Sequence, residues 1–168
     1  MNVSDAIRNR RSIRTYQEGF VIPDEEIHMI LEAAMMAPSA RNTRPWEFFV
    51  ITEPSLKEKM IAAHPYACHL QTASIGIVVC GRPDLQNGTD NDFWPQDCGA
   101  AVENILLQAL DLGYGSCWCG IHPEKKRVTA FQKILDTHSI PLALVTIGVS
   151  KEVPVRRGFY DEKRVTFL

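Results

Sequence analysis

The chain has 168 residues, of which 45% are hydrophobic and 23% charged, and its formal net charge at pH 7 is −2. A chain of this length and ordinary composition is predicted to form one domain, residues 1–168, with its own core. It contains no run of about 20 apolar residues that could span a membrane. The first residues lack the apolar segment of a signal peptide, so we expect a cytoplasmic protein.

Charge is unevenly distributed along the chain. Residues 1–15 carry a local charge of +3 and residues 151–168 a local charge of +2, so the part between them carries −7. A broad nucleic-acid surface would need a contiguous basic stripe. Two basic ends on an acidic body favour instead a compact anion, such as a phosphate, that both ends reach. We therefore expect no nucleic-acid partner.

A short helix is predicted at the N-terminus, and a basic segment follows it. Within six residues the segment holds three arginines and two hydroxyl side chains, Arg10, Arg11, Ser12, Arg14 and Thr15. Arginine has a planar set of donors that stays charged, so these side chains could surround one phosphate. The alternative is a solvated basic helix end. The apolar Ile13 inside the cluster favours a segment that is packed down, with its arginines oriented.

Helices and strands alternate through the rest of the chain. Helices are predicted at residues 23–37, 55–63, 94–112 and 123–135, and strands at 46–52, 74–81, 115–120 and 141–149. The stretch 64–73 is ambiguous, and 81–91 is predicted to be a loop. The strand at 74–81 is apolar on both faces and so is predicted to be central. Because helices separate the strands, an α/β or α+β arrangement of sheet and helices is implied.

The cysteines indicate neither disulfides nor a metal site. Their number is odd and no export signal accompanies them, so we expect reduced thiols at Cys68, Cys80, Cys98, Cys117 and Cys119. The single residue between the last two is too short a spacing for the usual zinc knuckle, and no histidine lies at a spacing that would complete a site. We interpret the cysteines as buried packing residues and expect no metal.

No side chain is marked as a catalytic group. The sequence lacks a Gly-x-Ser-x-Gly setting or an evident Cys/His pairing, and it lacks the glycine-rich loops of dinucleotide and triphosphate sites. Asp97 and Glu103 lie in one predicted helix and are interpreted as structural acids. A phosphate cradle without an acid, base or metal of its own suggests that a cofactor carries the chemistry.

Three separated motifs resemble the flavin-dependent nitroreductase family and occur in that family's order. They are RRSIR at residues 10–14, APSARNTRPW at 37–46 and GYGSCWCG at 113–120. The resemblance extends over essentially the whole chain, including residues 97–101 and 141–144. It implies an α+β, three-layer fold with a central, mostly antiparallel sheet flanked by helices. It also implies a homodimer that binds FMN at the interface and exchanges a C-terminal arm, residues 150–168.

The resemblance also implies the cofactor-binding residues. The FMN phosphate and ribityl end would be held by Arg10, Arg11, Ser12 and Arg14, and by one further cation from the arm among Arg156, Arg157 and Arg164. Residues reaching the ring pocket across the dimer would be Pro38, Ser39, Ala40 and Asn42. Backbone groups near flavin N5 would come from Cys119, Gly120 and Ile121. The family often has glutamine where this chain has Arg44, and the ribityl-contacting residue expected at 64–71 has no assignment.

The activity implied is that of an FMN-dependent NAD(P)H oxidoreductase. Hydride would pass from NADH or NADPH to flavin N5, and an acceptor such as a nitroaromatic or a quinone would take the electrons in a ping-pong reaction. Arginines offset the phosphate charge, and backbone amides stabilise charge on the ring, so no catalytic side chain is needed. The alternatives are an FMN-binding redox sensor or flavin carrier with little turnover, and a nucleic-acid-binding protein that uses the arginine cluster.

Overall fold

The computed structural model describes residues 1–86, 92–155 and 158–168. The helices are α1 (Val3–Asn9), α2 (Asp24–Met35), α3 (Pro54–Ala63), α4 (Trp94–Asp111) and α5 (Lys125–Leu135). The strands are β1 (Trp46–Ile51), β2 (Ile75–Gly81), β3 (Gly115–Gly120) and β4 (Ile140–Gly148). The ambiguous stretch forms a 3₁₀ turn, Pro65–Gln71, and none of the described helices is long and apolar enough to cross a bilayer.

The strands form one sheet in the order β1-β2-β4-β3, and every neighbouring pair is antiparallel. β2 is buried along its whole length between β1 and β4, which confirms its predicted central position. The antiparallel pairing decides between the two classes that the sequence left open. The fold is α+β, as the resemblance implied, and the exchanged arm stays a prediction.

The two faces of the sheet pack against different helices. α2 and α4 cover one face, where Ile77 and Val145 lie in a core with Ile30 and Ile105. α3, α5 and the 3₁₀ turn cover the other face, with a core that includes Val78, Leu144, Met60, Leu70 and Phe131. Side chains alternate between faces along a strand, so both central strands serve both cores. The result is the predicted arrangement of three layers.

Local signals set the helix ends. Acids occupy the first turn of α2, where they interact favourably with the helix dipole, and Pro23 precedes the helix. α4 ends just before Gly113, whose φ of +88° suits glycine and reverses the chain. α2 ends at Met35, short of the predicted end at residue 37, because Met36 already caps it and Pro38 follows.

The basic segment after α1 is packed onto the sheet edge. Ile13 is 4% exposed, and its backbone N–H donates to the carbonyl of Ser116 on β3 at 2.9 Å. The hydroxyl of buried Tyr16 donates to the Ile13 carbonyl at 2.7 Å and lies 2.8 Å from Thr146 Oγ1. These contacts confirm that Ile13 anchors the segment.

Gly115→Ala is expected to destabilise the protein by about 1–3 kcal/mol, the usual cost of overpacking. A Cβ at Gly115 would lie 2.9 Å from Ile13 Cβ and from both of its γ-carbons, so the basic segment would have to move away from β3. Gly120→Ala on the same strand is the matched control. Apart from Gly120 itself and its chain neighbours, no heavy atom of the described residues lies within 4 Å of its Cβ position. Urea denaturation measures the stability of both variants. Equal denaturation midpoints for Gly115→Ala and Gly120→Ala would contradict the close packing of Ile13 against Gly115.

Candidate functional site

A cavity of about 570 Å³ lies beside β3, on the face of the sheet that carries α3 and α5. Three parts of the chain line it: Arg14 of the basic segment, the stretch from His64 to His69, and β3 with the neighbouring Arg127. Its volume is within the range of small-molecule sites, about 300–1,000 Å³. This β3 cavity brings together three of the predicted cofactor-binding residues, Arg14, Cys119 and Gly120.

Arg14 presents a charged side chain on a fixed backbone. Its main-chain N–H donates to Glu152 Oε1 at 2.7 Å, and the N–H of Thr15 donates to the same oxygen at 3.2 Å. The side chain is exposed, and among the described residues its guanidinium has no ion pair. Its charge is therefore available to an anion in the β3 cavity.

Arg10 and Arg11 line a different cavity, of about 130 Å³, next to Glu152 and Pro154. Arg10 Nε lies 3.3 Å from Glu103 Oε1. Arg11 donates to the Arg10 carbonyl, and its Nη2 is buried without a hydrogen-bond partner in the part of the chain described. Ser12 is exposed, and its backbone forms an isolated parallel β-bridge with Ser116 on β3. The arginine cluster is thus divided between two cavities.

The loop with Pro38, Ser39, Ala40 and Asn42 lies at the opposite edge of the sheet, next to β1. Buried Asp97 accepts a hydrogen bond from the Ala40 N–H at 3.0 Å, which confirms a structural role for this acid. The φ angles of Arg41, Asn42 and Arg44 are +54°, +56° and +50°, a conformation that costs non-glycine residues energy. Three strand spacings, about 14 Å, separate β1 from β3. The loop therefore does not line the β3 cavity of its own chain.

His64 is a cavity residue that sequence reasoning missed. It is 3% exposed, and its Nε2 lies 2.9 Å from the carbonyl oxygen of Gly120. Burial lowers the pKa of His64, so the ring is neutral and donates from Nε2. Nδ1 is then a hydrogen-bond acceptor, and this buried atom has no partner among the described residues. His64 thus supplies an unused polar atom in the stretch that had no ribityl assignment.

A second polar cluster lines the same cavity. Cys117 and Cys119 are two residues apart on β3, so both side chains lie on one face, and Cys119 Sγ is 3.4 Å from His69 Nε2. The hydrogen bond from Cys119 lowers the pKa of the Cys117 thiol, and the interaction with Cys117 together with burial raises the pKa of Cys119. Sequence reasoning missed this cluster, because His69 is 50 residues from Cys119 along the chain.

All five cysteines are unpaired, as predicted, and four of them are buried. Cys68 is exposed, so the prediction of a packing role is wrong for that residue. It follows the first turn of the 3₁₀ segment, where its side chain lines the β3 cavity instead of a core.

The profile of the Nitroreductase family matches residues 7–66 and 61–149. The chain belongs to the nitroreductase family. A relative in Methanothermobacter thermautotrophicus is 40% identical over 98% of this chain and 86% of its own length, and its name gives it a candidate NADH dehydrogenase or NAD(P)H nitroreductase activity.

Solved structures of other nitroreductases have the same fold. An FMN-dependent nitroreductase of Clostridium difficile has a TM-score of 0.88 and 27% identity, covering 98% of both chains. A candidate nitroreductase of Desulfovibrio desulfuricans, solved in complex with FMN, has a TM-score of 0.79 and 28% identity, covering 94% of this chain and 92% of its own.

The remaining residues that were predicted to bind the cofactor of this nitroreductase differ in whether their polar groups already have partners. Ile121 donates its N–H to Leu142 and accepts from Glu124, so its backbone is already engaged. Arg164 pairs with Asp161 at 3.1 Å on the arm and lies over the ring of Phe159. Arg156 and Arg157, the other candidate cations, lie outside the described residues.

Proposed function

We propose that this nitroreductase is an FMN-dependent NAD(P)H oxidoreductase that works as a homodimer. The observation that carries the proposal is the β3 cavity, which combines the available guanidinium of Arg14, the unused acceptor of His64 and an open stretch of backbone at Gly120. The FMN dependence and FMN complex of the two solved relatives support the choice of cofactor.

The residues of the cavity suit the parts of FMN. Arg14 would bind the phosphate, with the exposed hydroxyl of Ser12 and with Arg10 once it leaves Glu103. Nδ1 of His64 would accept a hydrogen bond from a ribityl hydroxyl. In the part of the chain that the structure describes, no heavy atom outside the neighbouring residues lies within 4 Å of the Gly120 Cβ position, so a flat ring could approach the backbone there.

FMN held by these residues would supply the redox chemistry, which is hydride transfer from NADH or NADPH followed by reduction of a nitroaromatic, quinone or similar acceptor. The residues of the chain would position the FMN and stabilise its charge. Arg14 would offset the phosphate charge, and the main chain of Cys119 and Gly120 would border the ring. His64 is neutral and hydrogen-bonded, so it can orient a hydroxyl group without donating a proton from a charged ring.

A second copy of the chain completes this site. The loop 38–42 borders the opposite sheet edge, so we propose that the partner's loop reaches the cavity. The arm beyond residue 150 is the proposed means of association, because large apolar side chains on it are exposed to water: Val153 at 97%, Phe159 at 77%, Tyr160 at 75% and Phe167 at 92%. Exposed apolar surface of this extent is typical of an interface. Residues 1–168 would then form one domain with an exchanged arm.

We expect purified full-length protein to bind one FMN per chain. Without oxygen it should oxidise about one equivalent of NADH or NADPH per bound FMN, and continued oxidation should require an added acceptor. Absorption and the flavin released by denaturation measure binding. Initial rates at several fixed concentrations of a nitroaromatic or a quinone measure turnover, and parallel double-reciprocal lines are expected for ping-pong kinetics. Protein that stays colourless with excess FMN would overturn the proposal. Tight FMN binding with turnover no faster than that of free FMN would identify a sensor or carrier instead.

A further inference from the structure

We propose that His69, Cys117 and Cys119 form a binding site for Zn²⁺ beside the β3 cavity. One nitrogen of the histidine and the two sulfur atoms lie within 4.8 Å of one another. All three side chains are buried, with 7%, 2% and 6% exposure, and all three line the cavity. The site shares the cavity and Cys119 with the proposed flavin contacts, but it uses the sulfur atom of Cys119, whereas the flavin ring would border the main chain of that residue.

The strand geometry favours a metal over a disulfide. Cys117 and Cys119 pair in regular register with Thr146 and Leu144 on β4. Residues two apart on such a strand have their β-carbons about 6.8 Å apart, whereas a disulfide needs about 3.5–4.5 Å. Two Zn–S bonds of about 2.3 Å at a tetrahedral angle place the sulfurs about 3.8 Å apart. The two sulfur atoms already lie within 4.8 Å of each other, so only a small approach separates them from that geometry.

The donor set also suits the ion. Two thiolates neutralise the charge of Zn²⁺, and an imidazole is its other common ligand in proteins. Soft sulfur donors disfavour Mg²⁺ and Ca²⁺, which prefer oxygen. Because the three ligands line a cavity, the fourth position can open to it and hold a water molecule or another small ligand. This is the arrangement of an open three-ligand site rather than a closed structural one.

The experiment is zinc binding to the purified full-length protein under reducing conditions. After incubation with Zn²⁺ and dialysis against metal-free buffer, we expect one zinc per chain by elemental mass spectrometry. Cys117→Ala and Cys119→Ala should each weaken binding by more than the roughly 10–100-fold that outer-shell changes cost, and His69→Ala should weaken it as well. Cys68→Ala, an exposed thiol on the same cavity, and Cys98→Ala, a buried thiol in the other core, are the controls and should keep zinc.

A second measurement uses the unmodified chain, so its result does not depend on whether the variants fold. Zn²⁺ should slow the alkylation of Cys117 and Cys119 by iodoacetamide, read peptide by peptide, while Cys68 reacts at an unchanged rate. A chain that retains no stoichiometric zinc, or a Cys117→Ala/Cys119→Ala protein that retains as much as the original, would overturn the site. FMN content is measured in the same samples, so loss of FMN with zinc retained would count against the proposed function alone.

Discussion

Arg14→Ala is expected to raise the Kd for FMN by roughly 10–100-fold, the cost of a lost hydrogen bond to a charged group. The reason is that Arg14 is the basic residue of the N-terminal cluster that lines the β3 cavity. Its anchoring to Glu152 uses main-chain N–H groups, so alanine keeps those two hydrogen bonds and the backbone position. Fluorescence titration of FMN into the stripped protein measures the change.

Matched arginine variants make this test specific. Arg8→Ala removes an exposed arginine in the last turn of α1, away from the cavity, and should leave the Kd unchanged. Arg14→Lys keeps the charge but loses the planar set of donors, so an intermediate Kd is expected. Adding Arg10→Ala to Arg14→Ala should weaken binding further, because the phosphate would lose its second cation. If Arg14→Ala binds FMN as tightly as the unaltered protein, Arg14 does not contact the phosphate.

A chain that ends at Glu152 is expected to be monomeric and to lose FMN. The truncation removes the exposed apolar side chains of the arm and retains Glu152, which holds Arg14 and Thr15. Both cores consist of residues before position 150, so the sheet and its helices should still fold. Light scattering during size exclusion measures the mass, and circular dichroism checks the fold. An unchanged dimer mass would show that other surfaces hold the subunits together.

Point variants separate the arm's apolar contacts from its length. Phe159→Ser with Phe167→Ser should shift the equilibrium toward monomer, because both rings are largely exposed in the single chain and would be buried against a partner. Val21→Ser is the control, since Val21 is 82% exposed but lies outside the arm. Arg14→Ala should bind FMN more weakly and remain a dimer, whereas the truncated chain should lose both FMN and the dimer. The two defects can therefore be told apart.

Much of the fold could be predicted from local patterns. α2 is indicated by its acidic first turn, and α4 by its apolar stripe and the glycine that follows it. The helix dipole, the burial of one helix face and the left-handed turn at glycine each depend on only a few neighbouring residues, so each can be recognised in the sequence. β2 could be placed at the centre for a similar reason, since only a strand covered on both faces is apolar on both. Ile13 likewise indicated a packed segment, because it is an apolar residue among charged neighbours, and it is buried in the structure.

The candidate site was predictable only in part. The motif resemblance named Arg14, Cys119 and Gly120, which the fold does bring to one cavity. It could not show that Arg10 pairs with Glu103, or that His64 keeps a free acceptor, because both depend on residues far away in the chain. The ambiguous stretch 64–73 contains a 3₁₀ turn. Short 3₁₀ turns have no clear sequence periodicity, so the residues of this turn that line the cavity could not be recognised from the sequence.

By itself the sequence determined the order of the main helices and strands and the buried faces of α2, α4 and β2, because these follow from side-chain chemistry repeated at short spacing. The family was indicated separately, by the resemblance of three motifs. The tertiary structure alone decided that the strands are all antiparallel, that the loop 38–42 is at the far edge from β3, and that His69 meets Cys117 and Cys119. Such contacts join residues that are distant along the chain, and only the packing of the whole sheet between its two helical layers determines which of them meet.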